Sequence, residues 1–131
     1  MFVVRTSLRP SAIHGTGVFA EEFIPKGAMV WKFHRELDLV IDKQNLEALE
    51  PATQEELQHY SWLDTDLNVW VLSAGHGAFV NHSDDPSMHW MEGGDFYAPS
   101  YAVRDIQPGE EITDNYSAYD LDFARKLGRG N

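Results

Sequence analysis

The chain has 131 residues, 43% of them hydrophobic and 12% aromatic, and no cysteine. That length suits one domain with one apolar core, so a single domain over residues 1–131 is expected. The missing thiols exclude disulfides, cysteine nucleophiles and thiolate zinc sites. Acidic residues number 21 against 10 basic ones, a net charge of −11; such a surface disfavours nucleic acid and favours basic partners by long-range steering. No apolar run approaches the roughly 18 residues of a membrane span, and the segment from Met1 to Thr6 lacks the basic-then-apolar pattern of a secretory leader. These features read as a soluble intracellular protein, cytoplasmic or nuclear.

Short apolar runs broken by turns predict a mostly β chain with short helices. Phe2 to Thr6 and Gly17 to Ala20 are strand-like, and Ile24-Pro25-Lys26-Gly27 carries the Pro and Gly of a turn. Met29 to Phe33 and Leu37 to Ile41 predict two further strands, and Asn45 to Leu49 a helical turn ahead of Pro51. Thr53-Gln54-Glu55-Glu56 has the pattern of a capping box with Thr53 as N-cap, and Leu57, Tyr60 and Trp62-Leu63 continue it near helical spacing. Asn68 to Leu72 returns to strand. Ala78-Phe79-Val80 reads as an apolar strand leading into Asn81-His82-Ser83. Met91 to Asp95 resembles a hairpin loop, Tyr101 to Val103 a strand, Gln107-Pro108-Gly109-Glu110 a turn, and Glu110 to Asn115 the strand before Tyr116. The partly basic tail from Leu121 to Asn131 suits a short helix with a frayed, glycine-containing end.

Three motifs could carry chemistry. Gly15-Thr16-Gly17 lets the backbone turn sharply and approach a ligand, but it lacks the third glycine and the βαβ context of a dinucleotide fingerprint. The cluster from Asn81 to Pro86 offers donors and acceptors to a polar molecule, or simply a turn held by Asn and Ser side chains. His76, His82 and His89, with Asp84 or Asp85, are zinc-ligand types without a zinc spacing. Glu110 and Glu111 are adjacent on a strand, so they point to opposite faces and cannot form one acid–base pair. Tyr116 alone reads as a half-buried core tyrosine.

Taken in order, the motifs say more. Gly-x-Gly-Val-Phe-Ala from Gly15, Phe-Val-Asn-His-Ser-x-x-Pro from Phe79, and Arg-Asp-Ile-x-Pro-Gly-Glu-Glu-Ile-Thr-x-x-Tyr from Arg104 together resemble the SET-domain family of protein lysine methyltransferases. The resemblance runs from about Val4 to Tyr116 and is closest to small viral or bacterial members. It implies a β-clip-like fold of small, mostly antiparallel sheets with a C-terminal pseudoknot. It also implies S-adenosyl-L-methionine as cofactor, held by Gly15, Thr16, Gly17, Asn81, His82 and Tyr116. Tyr116 is then the active-site tyrosine, Tyr60 lines the lysine channel as a second catalytic residue, and Tyr119 is a further wall. The implied substrate is a lysine in a basic, histone-like protein or peptide, with no metal, nucleic acid or membrane involved.

Two departures stand out. Ser87 replaces the family's usual Asn after the middle motif, where that Asn braces the knot. The cysteine-rich segment that closes the lysine channel in larger members is absent, which leaves closure to residues 119–127 or to a second copy of the chain in a homodimer. The alternatives are a SET-like protein-binding module without catalysis and a histidine metalloprotein.

Overall fold

The structure is a computed structural model that describes residues 1–64, 67–90 and 98–115. Among the described residues, ten short strands form three small sheets. β1 (Thr6–Pro10), β2 (Thr16–Ala20), β10 (Glu111–Asp114) and β7 (Asn81–His82) make a four-stranded sheet in the order β1-β2-β10-β7. β3 (Met29–Trp31), β9 (Ser100–Ala102) and β8 (Met88–Trp90) make the second, and β4 (Leu39–Asp42), β6 (Val69–Leu72) and β5 (Trp62–Asp64) the third. Two helices, α1 (Lys43–Glu47) and α2 (Pro51–Tyr60), connect β4 to β5. All strand pairs are antiparallel except β10 with β7, which runs parallel. The mostly β expectation and the small antiparallel sheets are both borne out.

The first sheet positions the site. β10, late in the chain, lies between β2 and β7, with Ile112 opposite Val18 and Thr113 opposite Asn81. Val18, Ile112, Ile24, Ile106, Val30 and Trp31 are buried together, and Met88 and Ala102 from the second sheet join them. Full burial of each branched side chain contributes about 1.5–3 kcal/mol relative to exposure. The motif strands are thereby fixed to one core.

Several local expectations are corrected. Phe2 forms only an isolated bridge to Trp31, and the first strand starts at Thr6 and runs to Pro10. Most of that strand is exposed, Leu8 by 39%, so it carries no apolar run to read. Helix α2 begins at Pro51 with Glu50 at the N-cap, and Thr53 lies inside its first turn. Proline at the first helical position has its φ already set and no N–H to lose, which outweighs the capping-box pattern. Ser61 is extended and ends that helix, so Trp62 and Leu63 belong to β5 instead of continuing α2. Ala78 and Phe79 lie in a 3₁₀ helix, Gly75–Phe79, so no strand precedes Asn81. The loop expected at residues 91–95 and the helix expected at 121–131 lie outside the described residues, as does the threading of the chain beyond Asn115.

Candidate functional site

The glycine turn enters β2 through Gly15, whose φ of +47° is left-handed and suits glycine. The Ser11 N–H donates to the Gly15 carbonyl at 2.7 Å and closes the turn. Gly17 is glycine for a different reason. A Cβ there would collide with the Glu111 carboxylate and stand 3.1 Å from Asn81 Nδ2.

Those two side chains fasten the turn to β10 and β7. Asn81 Nδ2 donates to Glu111 Oε2 at 2.8 Å and to the His14 carbonyl at 3.0 Å. Ser11 Oγ donates to Glu111 Oε1 at 2.6 Å. The glycine turn and Asn81 are therefore brought together as the motifs suggested, but the Asn81 amide group is directed into the protein. Its donors hold the turn's backbone, leaving Gly15 and Thr16 exposed at the surface.

Glu111 is the residue that sequence reasoning missed. Alternation along the strand separated it from Glu110, whose carboxylate accepts the Gln107 N–H at 3.1 Å. The same alternation turns Glu111 inward toward Gly17, which the sequence offers no way to pair with it.

His82 sits opposite Asp114 in the β7–β10 register and pairs through Nε2 with Asp84 Oδ1 at 2.9 Å. Ser87, fully buried, answers the question raised by the missing Asn. Its N–H donates to Thr113 Oγ1 at 3.2 Å, the Thr113 N–H donates to Ser87 Oγ at 3.0 Å, and its carbonyl accepts from Val103 N. A shorter side chain thus ties β10 to the loop before β8.

Tyr60 ends α2 and is 38% exposed, with its ring 5.6 Å from Phe79 and 4.7 Å from His59. Phe79 is two residues before Asn81 and packs on the core, and Tyr60 rests on that ring. A Cβ at Gly77 would collide with Ser73 Oγ, itself accepting from Trp31 Nε1 at 2.9 Å. Tyr116 and Tyr119 lie outside the described residues.

The three histidines named as zinc-ligand types are held apart by separate partners. His76 Nδ1 shares a hydrogen bond with Thr6 Oγ1 at 2.7 Å, His82 pairs with Asp84, and His89 Nδ1 donates to Asp114 Oδ1 at 2.9 Å. Among the described residues, no three His, Asp or Glu side chains converge as a metal site would require.

The His89–Asp114 pair is the site's most perturbed. Burial pushes the Asp114 carboxyl above the ordinary aspartate range, while its hydrogen bonds from His89 and Asn115 pull it partway back. The hydrogen bond to Asp114 holds His89 above its ordinary value, with burial opposing. Both groups bind protons more readily folded than unfolded, so stability falls as pH rises. The His89 contribution is fully present below its unfolded value of about 6.5 and is lost as pH climbs through the raised folded value. Melting curves across that interval should show the decline, and His89→Gln should flatten it. An unchanged slope in the variant would remove His89 as its source.

Comparisons with known proteins agree with this geometry. The SET domain family matches residues 15–117, and the chain belongs to that family. It is 32% identical over 127 residues to the Variant-silencing SET domain-containing protein of Plasmodium falciparum (isolate 3D7), covering 88% of this chain and 5% of that protein. It is 29% identical over 109 residues to Histone-lysine N-methyltransferase Set2 of Drosophila melanogaster, covering 78% and 5%. The chain thus spans about a twentieth of the length of these two relatives. Among solved structures, Chaetomium thermophilum Polycomb Repressive Complex 2 in an autoinhibited conformation bound to S-adenosylmethionine aligns with a TM-score of 0.66 at 22% identity, covering 96% of this chain and 17% of that one. That likeness is one of fold. Among the described residues, no helix is long and apolar enough to cross a membrane.

Proposed function

We propose that this chain, as one SET domain over residues 1–131, is a protein-lysine N-methyltransferase that uses S-adenosyl-L-methionine and acts on a basic, histone-like tail. The observation that carries the reading is the junction of Gly17, Asn81 and Glu111, which holds the family's glycine turn against its Asn-His strand. The relatives named above, one of them a histone-lysine methyltransferase, support the same reaction class.

The residues present fit the cofactor. Gly15 and Thr16 are exposed, and among the described residues nothing lies within 4 Å of where a Gly15 Cβ would stand. A ligand can therefore approach the turn from solvent, although its His14 and Gly15 carbonyls are already engaged within the protein. Gly15, Thr16, Gly17, Asn81 and His82 would hold it, with Tyr116 completing the site.

The bound cofactor supplies an electrophilic methyl group, and the chain's own residues prepare the amine. A free lysine has a pKa near about 10.4 and is charged at neutral pH. Rings such as Tyr60 and Phe79 desolvate it, which disfavours the ammonium, and its proton passes to solvent. Tyr116 then orients the neutral amine, and alignment supplies most of the acceleration. The aromatic walls also tolerate a methylated ammonium through cation–π attraction.

Charge supports a basic substrate. Between residues 36 and 64, which include α1 and α2, eight acidic residues stand against one basic residue, Lys43, with Asp38 alone of the eight buried against the Met1 ammonium. Mass spectrometry of a lysine-peptide library after incubation with methyl-labelled cofactor tests the reading, and basic peptides should be methylated preferentially. Their kcat/KM should fall as ionic strength rises past about 0.1 M, where the screening length shrinks to about 10 Å. A preferred acidic peptide would end the charge argument. Cofactor binding without transfer to any peptide would indicate the non-catalytic binding module instead.

A further inference from the structure

Asp114 closes β10 and is the meeting point of three segments. Its side chain is 6% exposed, and a buried carboxylate must be paired to persist. Oδ1 accepts from His89 Nδ1 at 2.9 Å and from the backbone N–H of Asn115 at 2.8 Å. The Asp114 carbonyl accepts the Ser83 N–H at 2.9 Å. Asp114 therefore ties the end of β10 to the Asn-His-Ser strand on one side and to β8 on the other.

His89 is itself held in place. It lies opposite Tyr101 in the β8–β9 register, and its ring stacks on Trp90 at 4.7 Å with an interplanar angle of 23°. One carboxylate oxygen thus joins a fixed imidazole to the peptide N–H immediately before Tyr116. The Ser87–Thr113 exchange already ties β10 to the loop before β8 with neutral groups. Strand pairing alone does not require an ion pair here. A buried ion pair contributes little net stability compared with a well-packed apolar pair.

We infer that His89 and Asp114 are positioning residues for the methyl transfer proposed above: through the Asn115 N–H they fix the backbone of the residue that precedes Tyr116 in the chain. The inference rests on that proposed activity for its kinetic consequence but not for its structural one.

The test compares three variants of the full chain. His89→Phe removes the imidazole donor and leaves the buried Asp114 carboxylate with the Asn115 N–H. His89→Gln supplies an amide donor in its place. The double variant His89→Phe/Asp114→Leu removes both charges and packs the space with apolar groups, which guards against a single variant that simply unfolds. Single-turnover transfer at saturating cofactor should fall about tenfold or more in His89→Phe and in the double variant, as misplacement of a reacting group does. The cofactor Kd should stay unchanged, and His89→Gln should recover most of the rate. A double variant with wild-type melting and wild-type transfer would overturn the inference and leave the pair a packing feature. The amide NMR signal of Tyr116 supplies a readout that needs no catalysis. It should move in the double variant and return in His89→Gln. A wild-type protein that transfers no methyl would sink the proposed activity alone, and a Tyr116 signal indifferent to all three variants would sink the positioning role alone.

Discussion

Replacing Asn81 with Asp should destabilise the protein by on the order of 3 kcal/mol and sharply weaken cofactor binding. The substitution changes one atom. It removes the Nδ2 donor that serves Glu111 Oε2 and the His14 carbonyl, and puts an oxygen in its place. A second carboxylate then faces the Glu111 carboxylate in a partly buried setting, and an unpaired charge withdrawn from water costs more than a lost neutral hydrogen bond. Asn81→Ala should be milder, because it deletes the donor without adding a charge, at about 1–3 kcal/mol. Adding Glu111→Gln to Asn81→Asp restores a donor–acceptor pair, so the double variant should be more stable than the single one. Denaturant melts of the wild type, Asn81→Asp, Glu111→Gln and the double variant close a cycle that gives the coupling energy directly, since the two residues are in contact and their effects should not add. Calorimetry with S-adenosylmethionine on the folded fraction should show the same order of affinities. If Asn81→Asp and Asn81→Ala behave alike, the Asn81–Glu111 contact does not hold the turn.

Tyr116→Phe should lower methyl-transfer turnover by about tenfold to a thousandfold, equivalent to about 1.4–4 kcal/mol of transition-state stabilisation. The ring stays and only the hydroxyl goes, so folding and cofactor binding should be nearly intact. Tyr116 follows Asn115 in the chain, and the Asn115 N–H is held by Asp114. Single-turnover rates at saturating cofactor, beside a melting curve for each protein, separate this from a core role. A variant with wild-type rate removes Tyr116 from the catalytic residues. A variant that is slow only because it is partly unfolded assigns the ring to the core.

Much of the site was legible because its motifs are local. Gly15, Gly17, Asn81 and the turn at Pro108-Gly109 each announce a backbone requirement within a few residues. The contacts between them were not legible. Glu111 and Gly17 are distant in sequence, and only the insertion of β10 between β2 and β7 brings the carboxylate to the place a Cβ would occupy. Ser87 looked like a weakness as a single residue, and only its reciprocal bonds with Thr113 show how it braces the strand.

The misread elements share a cause: short segments in which tertiary pairing decides. β5 spans three residues straight after a helix, too few for a strand period to emerge. β1 is exposed enough that no alternation marks it, and its hairpin pairing with β2 holds it instead. At the start of α2 two local signals competed, and the proline at the first helical position prevailed over the Thr53 pattern.

The most direct test of lysine methyl transfer is to count products. The purified chain is incubated with S-adenosylmethionine and a basic peptide containing one lysine, and S-adenosylhomocysteine and methylated lysine are measured in the same sample. Each transfer forms one N–C bond and breaks one C–S bond, so the first methylation should yield the two products one to one, and a peptide with that lysine changed to arginine should yield neither. Cofactor consumed without a methyl appearing on lysine, or cofactor bound and never consumed, would contradict methyl transfer to lysine as the activity of this chain.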